Sequence, residues 1–209
     1  MLVNNAGYGL SGAFEDLAMD EIKSQYETNL FGVIRVTQAV LPTMRKQKSG
    51  IIVNMSSVAG GFGIPTQSAY ASTKFAIEGL NESIAYESEP FGIKILLVEP
   101  GAIRTNFANN MVAAEKSQDP NSPYSQLMQN AAKGFEHILQ GGSAADVVAK
   151  VVLKAVTTEN PSLRHLAGKD AETWMKGKSR CLTKRSIKWF PKHRCWKELF
   201  STHYQSWRH

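Results

Sequence analysis

At 209 residues, with 43% apolar and 20% charged residues, the chain can bury the core of a single globular domain and is too mixed in composition to be fibrous or low-complexity. It has no run of about eighteen apolar residues and no charged start followed by an apolar stretch, so neither a membrane span nor a secretory leader is expected. The net charge of +6 is unevenly placed: residues 175–209 carry ten Lys/Arg against one acid, Glu198, a local +9 that leaves −3 for the first 174 residues, so the body has no nucleic-acid-binding bias.

Leu2-Val3-Asn4-Asn5-Ala6-Gly7 opens the chain as a short apolar run ending in small, turn-forming residues, the pattern of a buried parallel strand that stops at a ligand crevice. Gly7-Tyr8-Gly9-Leu10-Ser11-Gly12 reads as a mobile loop over that crevice. Asp20 is placed to cap a helix running to about Arg45, on which Ile22, Tyr26, Leu30, Val33, Ile34, Thr37, Val40 and Leu41 recur at three or four; Pro42 falls late enough to bend it rather than abolish it. Lys46 to Gly50 form a polar turn into a second strand, Ile51 to Ser57. Ser68 begins a second long helix to about Glu87, stopped by Pro90 to Gly92, and Ile95 to Gly101 make a third strand. Residues 106–142 hold one modest helix near 124–139 among Asn, Pro and Gly, a length typical of lids or disordered insertions. Phe107, Met111, Tyr124 and Met128 within it suggest an apolar pocket. A helix from Ser143 to about Thr157 and a strand from Ser162 to Ala167 complete the body.

The candidate chemistry lies in Ser68-Ala69-Tyr70-Ala71-Ser72-Thr73-Lys74, with Ser57 thirteen residues before Tyr70. Spacing of i and i+4 puts the phenol and the ammonium on one helix face. A free tyrosine has a pKa of about 10, and a neighbouring ammonium in a sheltered cleft is expected to lower it. Ser57, on a preceding loop, is placed to donate to the oxygen whose proton Tyr70 exchanges, which is what carbonyl reduction and alcohol oxidation need. Taken alone, such a Tyr-Lys pair is common on solvated helices.

Together, Asn4-Asn5-Ala6-Gly7, Ser57, Tyr70-x-x-x-Lys74 and Pro100-Gly101-Ala102-Ile103-Arg104-Thr105, in this order, closely resemble the short-chain dehydrogenase/reductase family over roughly residues 1–175. The resemblance implies an α/β fold: a Rossmann-like, doubly wound parallel sheet in a three-layer α/β/α sandwich. It implies Tyr70 as general acid/base, Lys74 as binder of the nicotinamide ribose and modulator of the tyrosine, and Ser57 as the hydroxyl that polarises the substrate carbonyl. Asn29 matches the helix asparagine that shapes a water-linked proton relay behind the lysine. Asn5, Ala6 and Gly7 would pass beside the adenosine ribose, and Pro100, Gly101, Ile103 and Thr105 would meet the nicotinamide carboxamide. Singly, Asn29 is as well an ordinary exposed helix residue, Thr105 a helix cap and Pro100-Gly101 a plain turn. The implied cofactor is NAD or NADP, and no metal is implied.

The family's glycine-rich phosphate turn has no counterpart before Asn4, and the 7–12 loop does not replace it, because it follows the fourth strand by family position. Three strands and three helices, roughly 80 residues, are expected upstream. Residues 1–174 therefore read as the C-terminal part of such a domain, N-terminally truncated, with Leu2–Asn4 an exposed edge, an open apolar patch and a crippled cofactor site. Two functions follow: an oxidoreductase moving hydride between NAD(P)(H) and a carbonyl or alcohol substrate, apolar and lipid-, steroid- or retinoid-like, impaired in this chain; or a catalytically inactive remnant that binds or dimerises. The two long helices, 20–45 and 68–87, form a dimer interface in the family, so a homo-oligomer is implied.

The tail, 175–209, holds Cys181, Cys195, three of the four tryptophans and three of the five histidines. It reads as a membrane-surface or channel helix built on Ile187, Trp189, Phe190 and Trp196, as a nucleic-acid segment through Lys184-Arg185 and Lys192-His193-Arg194, or as the product of a frameshift near Lys178. Cys181, His193 and Cys195 fit no paired zinc-ligand spacing. A small molecule is the expected partner, nucleic acid and membrane are not, the tail aside, and the expected compartment is the cytoplasm.

Overall fold

The computed structural model describes residues 1–182; the tail readings at Lys184-Arg185, Ile187 to Trp196 and the zinc trio that needs His193 and Cys195 lie outside the described residues. In chain order the elements are β1 (Leu2–Asn4), β2 (Leu10–Ser11), α1 (Met19–Tyr26), α2 (Gly32–Gln47), β3 (Gly50–Met55), α3 (Ser68–Ser88), β4 (Ile93–Pro100), β5 (Ile103–Arg104), β6 (Val112–Ala113), α4 (Ser125–Gln140), β7 (Ser143–Ala144), α5 (Ala145–Thr157), β8 (Arg164–Ala167) and α6 (Lys169–Leu182). The main sheet has four strands in the order β1-β3-β4-β8, with parallel pairing throughout. Residues Leu2, Ile52 and Ile95 lie in register across it, as do Val3, Val53 and Leu96.

Strand alternation gives each face its own core. Val53, Leu96 and Val98 pack with Val148, Val151, Val152 and Val156 of α5, while Ile52, Ile93 and Ile95 meet Val40, Leu41 and Met44 of α2 and Ile84 of α3. Burying each such side chain contributes roughly 1.5–3 kcal/mol, so these layers rather than helix propensity fix where α3 lies. The fold is the α/β architecture read from the sequence. Two local features differ from it. The first long helix starts at Met19, and its free end is satisfied by Glu21, whose carboxylate accepts the Ala18 N–H at 2.8 Å. Asp20 sits instead in the first turn, paired with Lys23 at 3.2 Å, because a Glu three residues into a helix reaches back better than its neighbour. That helix is also broken by a π turn at Glu27–Phe31, around Asn29.

β1 pairs on one side only, with β3, and is an edge of the sheet among the described residues; Val3 on it is 40% exposed. Helix α6 runs through the expected boundary at 174/175. No helix among the described residues is long and apolar enough to cross a membrane.

Candidate active site

Ser57, Tyr70 and Lys74 come together where β3 and β4 end. Ser57 lies two residues past the β3 end and starts a tight turn, its Oγ accepting the Ala59 N–H at 3.1 Å. Helix α3 crosses beneath with Ala69, Tyr70, Ala71, Thr73 and Lys74 all buried. A line of amides holds the strand ends in place under it. Asn4 Nδ2 donates to Asn54 Oδ1 at 2.6 Å and to Thr37 Oγ1 at 3.2 Å, Asn54 Nδ2 donates to Asn81 Oδ1, and Asn81 Nδ2 donates to the Ile77 carbonyl at 2.7 Å. Each buried amide is thereby satisfied by another element, so β1, β3, α2 and α3 cannot slide past one another without leaving a polar group unpaired.

The electrostatics of the trio depart from expectation. The tyrosine, 7% exposed, is pushed up to about 12, not down; burial is the larger cause, and a hydrogen bond with the Ser57 side chain opposes it. Lys74, also 7% exposed, is drawn down to about 8 by burial, against the attraction of Glu78. Its Nζ donates to the Met55 carbonyl at 2.8 Å and lies 5.6 Å from the centre of the Tyr70 ring. Both groups have been taken out of water, and the cost of charging either one outweighs what the pair regains.

Asn29, an exposed helix residue if read alone, is 1% exposed. Its Oδ1 accepts the Tyr8 N–H at 3.1 Å and its Nδ2 donates to the Tyr8 carbonyl at 2.9 Å and to Thr73 Oγ1 at 3.4 Å. The 7–12 loop, expected to be mobile, is tied down by this clamp and by Gln25, which donates to the Tyr8 carbonyl and accepts the Leu10 N–H, both at 2.7 Å. β2 within it pairs with β6, and the Gly12 N–H donates to the Thr66 carbonyl at 2.8 Å. Glycine is needed for close approach: a Cβ on Gly12 would stand 2.6 Å from Leu17 Cδ2 and 2.7 Å from Ser117 Oγ. The loop glycines serve packing, not freedom.

Asn5, Ala6 and Gly7 lie exposed beyond the end of β1. Pro100 and Gly101 turn out of β4, and the Gly101 N–H donates to the Ala167 carbonyl at 3.0 Å. A side chain on Gly101 would collide with Asp170, whose Oδ2 accepts the Ala102 N–H. Ile103 pairs with Ser143 through β5 and β7, and exposed Thr105 accepts the Phe107 N–H on its Oγ1 at 3.2 Å. Of the expected apolar pocket, Phe107 packs against Tyr70 with ring centroids 5.8 Å apart, and a Cβ on Gly9 would touch both Phe107 and Met111. Tyr124 is elsewhere, its hydroxyl donating to Glu15 Oε2 at 2.6 Å. A cavity of about 340 Å³ lined by Tyr8, Leu10, Asp20, Glu21, Ser24 and Val112 lies beside the loop and contains none of the trio, so it is not the reacting site.

Sequence reasoning missed the asparagine line, the Asp170 contact and Glu78. Polar Asn54 inside an otherwise apolar strand, and an acid four residues after Lys74, were the available signals.

Residues 1–116 match the family model described as short chain dehydrogenase. The 3-ketodihydrosphingosine reductase of Bacteroides thetaiotaomicron is 39% identical over 168 residues, 80% of this chain and 62% of that protein, so the chain spans less than two thirds of that relative's length. The crystal structure of a short-chain dehydrogenase from Streptomyces avermitilis superposes with a TM-score of 0.76 at 36% identity over 87% of this chain and 66% of that one. ElxO, solved with NADP bound, gives a TM-score of 0.60 at 30% identity over 79% of this chain and 64% of that one.

Proposed function

The chain belongs to the short-chain dehydrogenase family, and from that premise we propose that it carries the reacting part of an oxidoreductase site, moving hydride between NAD or NADP and the carbonyl or alcohol carbon of a small molecule. The observation that carries this reading is the buried Tyr70 hydroxyl bonded to Ser57, with the Lys74 ammonium one helical turn away.

The donor set fits a nicotinamide nucleoside. An ammonium and a phenol suit ribose hydroxyls, the Thr105 hydroxyl and the Ile103 backbone suit a carboxamide, and the exposed Asn5–Gly7 backbone lies beyond the adjacent strand end. When bound, the nicotinamide ring supplies or accepts the hydride. Tyr70 holds the proton on its Oη, giving it to a carbonyl oxygen or taking it from an alcohol. Ser57 orients that oxygen by donating to it, and Lys74 orients the ribose and favours the phenolate. Asn29 holds the Tyr8 turn against the helix that carries the pair.

Phe107 and Met111 favour an apolar, lipid-like, steroid-like or retinoid-like substrate, and a relative named 3-ketodihydrosphingosine reductase is consistent with a lipid-like ketone. Exposed Phe31, Val36 and Phe75 on the α2–α3 side favour a homo-oligomer through these helices. Cytoplasmic residence belongs to the same proposal, since such a site draws on a nicotinamide pool. The alternative, an inactive module that binds or dimerises, is favoured by the open β1 edge with Val3 exposed.

Ligand-observed NMR with NADH and NADPH, which reads millimolar affinities, separates the two. Saturation should reach the nicotinamide and its ribose and fall several-fold in Lys74→Met; equal saturation in the variant would defeat the assignment of Lys74.

A further inference from the structure

One helical turn beyond Lys74, on the side away from Tyr70, lies a buried acid that the hydride-transfer scheme does not use. Glu78 is 8% exposed and shares the α3 face of Tyr70 and Lys74. Three other segments converge on it. Its Oε1 accepts the hydroxyl of Ser56, the residue before Ser57. Its Oε2 accepts Arg164 Nε of β8 at 2.8 Å. A Cβ on Gly60, in the turn opened by Ser57, would stand 2.9 Å from both Glu78 Cγ and Ser56 Oγ, so that turn is folded directly onto the acid.

We propose that Glu78 is a positioning residue of this site: a single carboxylate that joins the strand end bearing Ser57, the helix bearing Tyr70 and Lys74, and the last strand, and that keeps the Lys74 ammonium charged inside the fold. It acts through Lys74 and Ser57 and touches neither substrate nor cofactor. Its value to catalysis rests on the dehydrogenase reading; its hold on Lys74 does not.

An ammonium stripped of water sheds its proton unless a fixed negative charge opposes the loss. The charged and titratable groups around Lys74 can be named element by element. On α3 itself, Tyr70 is neutral at ordinary pH, Glu78 lies one turn away and Glu82 a turn further. From β8 comes Arg164, bonded to Glu78 and, through Nη2 at 2.8 Å, to Glu82. From β4 comes Glu99, with its Oε1 3.7 Å from Arg164 Nε. His165, next on β8, points to the opposite face. Three carboxyl groups thus meet one guanidinium, an excess of acid that favours the charged lysine, and Glu78 is the member that opposes the effect of burial on Lys74.

The test titrates Lys74 itself, with no cofactor and no turnover. Protein labelled at lysine Cε is followed by NMR against pH, with Lys74 assigned by its loss in Lys74→Met. The wild-type midpoint is expected near 8. In Glu78→Gln it should fall by about one unit, a tenfold change in the proton equilibrium, whereas Glu82→Gln, on an exposed partner of Arg164, should move it far less. An unchanged midpoint in folded Glu78→Gln overturns the proposal. Should that variant not fold, the wild type still decides: the Glu78 side-chain carboxyl resonance should shift as Lys74 loses its proton, and a flat response between about pH 7 and 9 also overturns it. Absence of hydride transfer would defeat the functional reading and leave this titration unaffected.

Discussion

The Lys74 ammonium stands 5.6 Å from the centre of the Tyr70 ring and donates to the Met55 carbonyl at 2.8 Å, so it lies beside the phenol while its hydrogen bond goes to the strand end. In this arrangement burial, not the cation, governs the tyrosine. NMR of tyrosine labelled at Cζ should find Tyr70 titrating near 12, and Ser57→Ala should raise it further by removing the hydrogen bond that opposes burial. A Tyr70 midpoint at or below the free value of about 10 would contradict this account.

Lys74 has the opposite sign in stability. Its folded pKa of about 8 lies below the unfolded value of 10.5, so the native state gains stability as pH rises from 8 toward 10.5 and loses it again as pH falls through 8. Full release of that proton is worth about 3 kcal/mol. Urea unfolding at several pH values should show the wild type gaining on Lys74→Met across this window. Tyr70, raised to about 12, contributes stability that is intact below 10 and lost as pH climbs through 12, so the gain should reverse at the alkaline end.

Asn29→Ala removes both clamps on the Tyr8 backbone: the half-buried Tyr8 N–H loses its partner, while the carbonyl keeps the Gln25 donor. The expected cost is about 1–3 kcal/mol. Hydrogen exchange localises it: the Tyr8 amide should lose protection, with the β3 and β4 amides unchanged relative to global stability. Retained protection at Tyr8 would mean that Gln25, the β2–β6 pairing and the Gly12–Thr66 bond hold the loop without Asn29.

Gly12→Ala places a methyl 2.6 Å from Leu17 Cδ2, 2.7 Å from Ser117 Oγ and 2.9 Å from Ala114 Cβ. Overpacking of this kind typically costs about 1–3 kcal/mol, and a Tm shift of several degrees should follow. An unchanged Tm would show the contact between the 7–12 loop and the segment around Ala114 to be loose.

What was legible in the sequence is what is local. The branched runs around Val53 and Leu96 announce buried strands, and Tyr70 with Lys74 is a one-turn spacing that needs no tertiary information. Asn54 with Asn81, Asp170 with Ala102 and Arg164 with Glu78 are separated by 27, 68 and 86 positions, and no spacing rule reaches across such gaps. The direction of the Tyr70 shift was missed for a related reason. A nearby cation is visible in the sequence, but the loss of water that outweighs it depends on Ala59, Ala71, Ile64 and Phe107 closing around the ring. The glycines of the 7–12 loop misled because glycine marks close packing as readily as freedom, and only the neighbours of Gly12 tell which.

The most direct measurement is deuterium transfer under single-turnover conditions with protein in excess, so that weak cofactor binding slows the step without hiding it. NADH or NADPH carrying deuterium at C4 is mixed with an apolar ketone, and the alcohol is analysed by mass spectrometry. Deuterium is expected on the carbinol carbon, with the rate lowered about 10²–10⁴-fold in Tyr70→Phe while the fold stays intact. No transfer by the wild type, or transfer by Tyr70→Phe at the wild-type rate, would contradict the oxidoreductase reading.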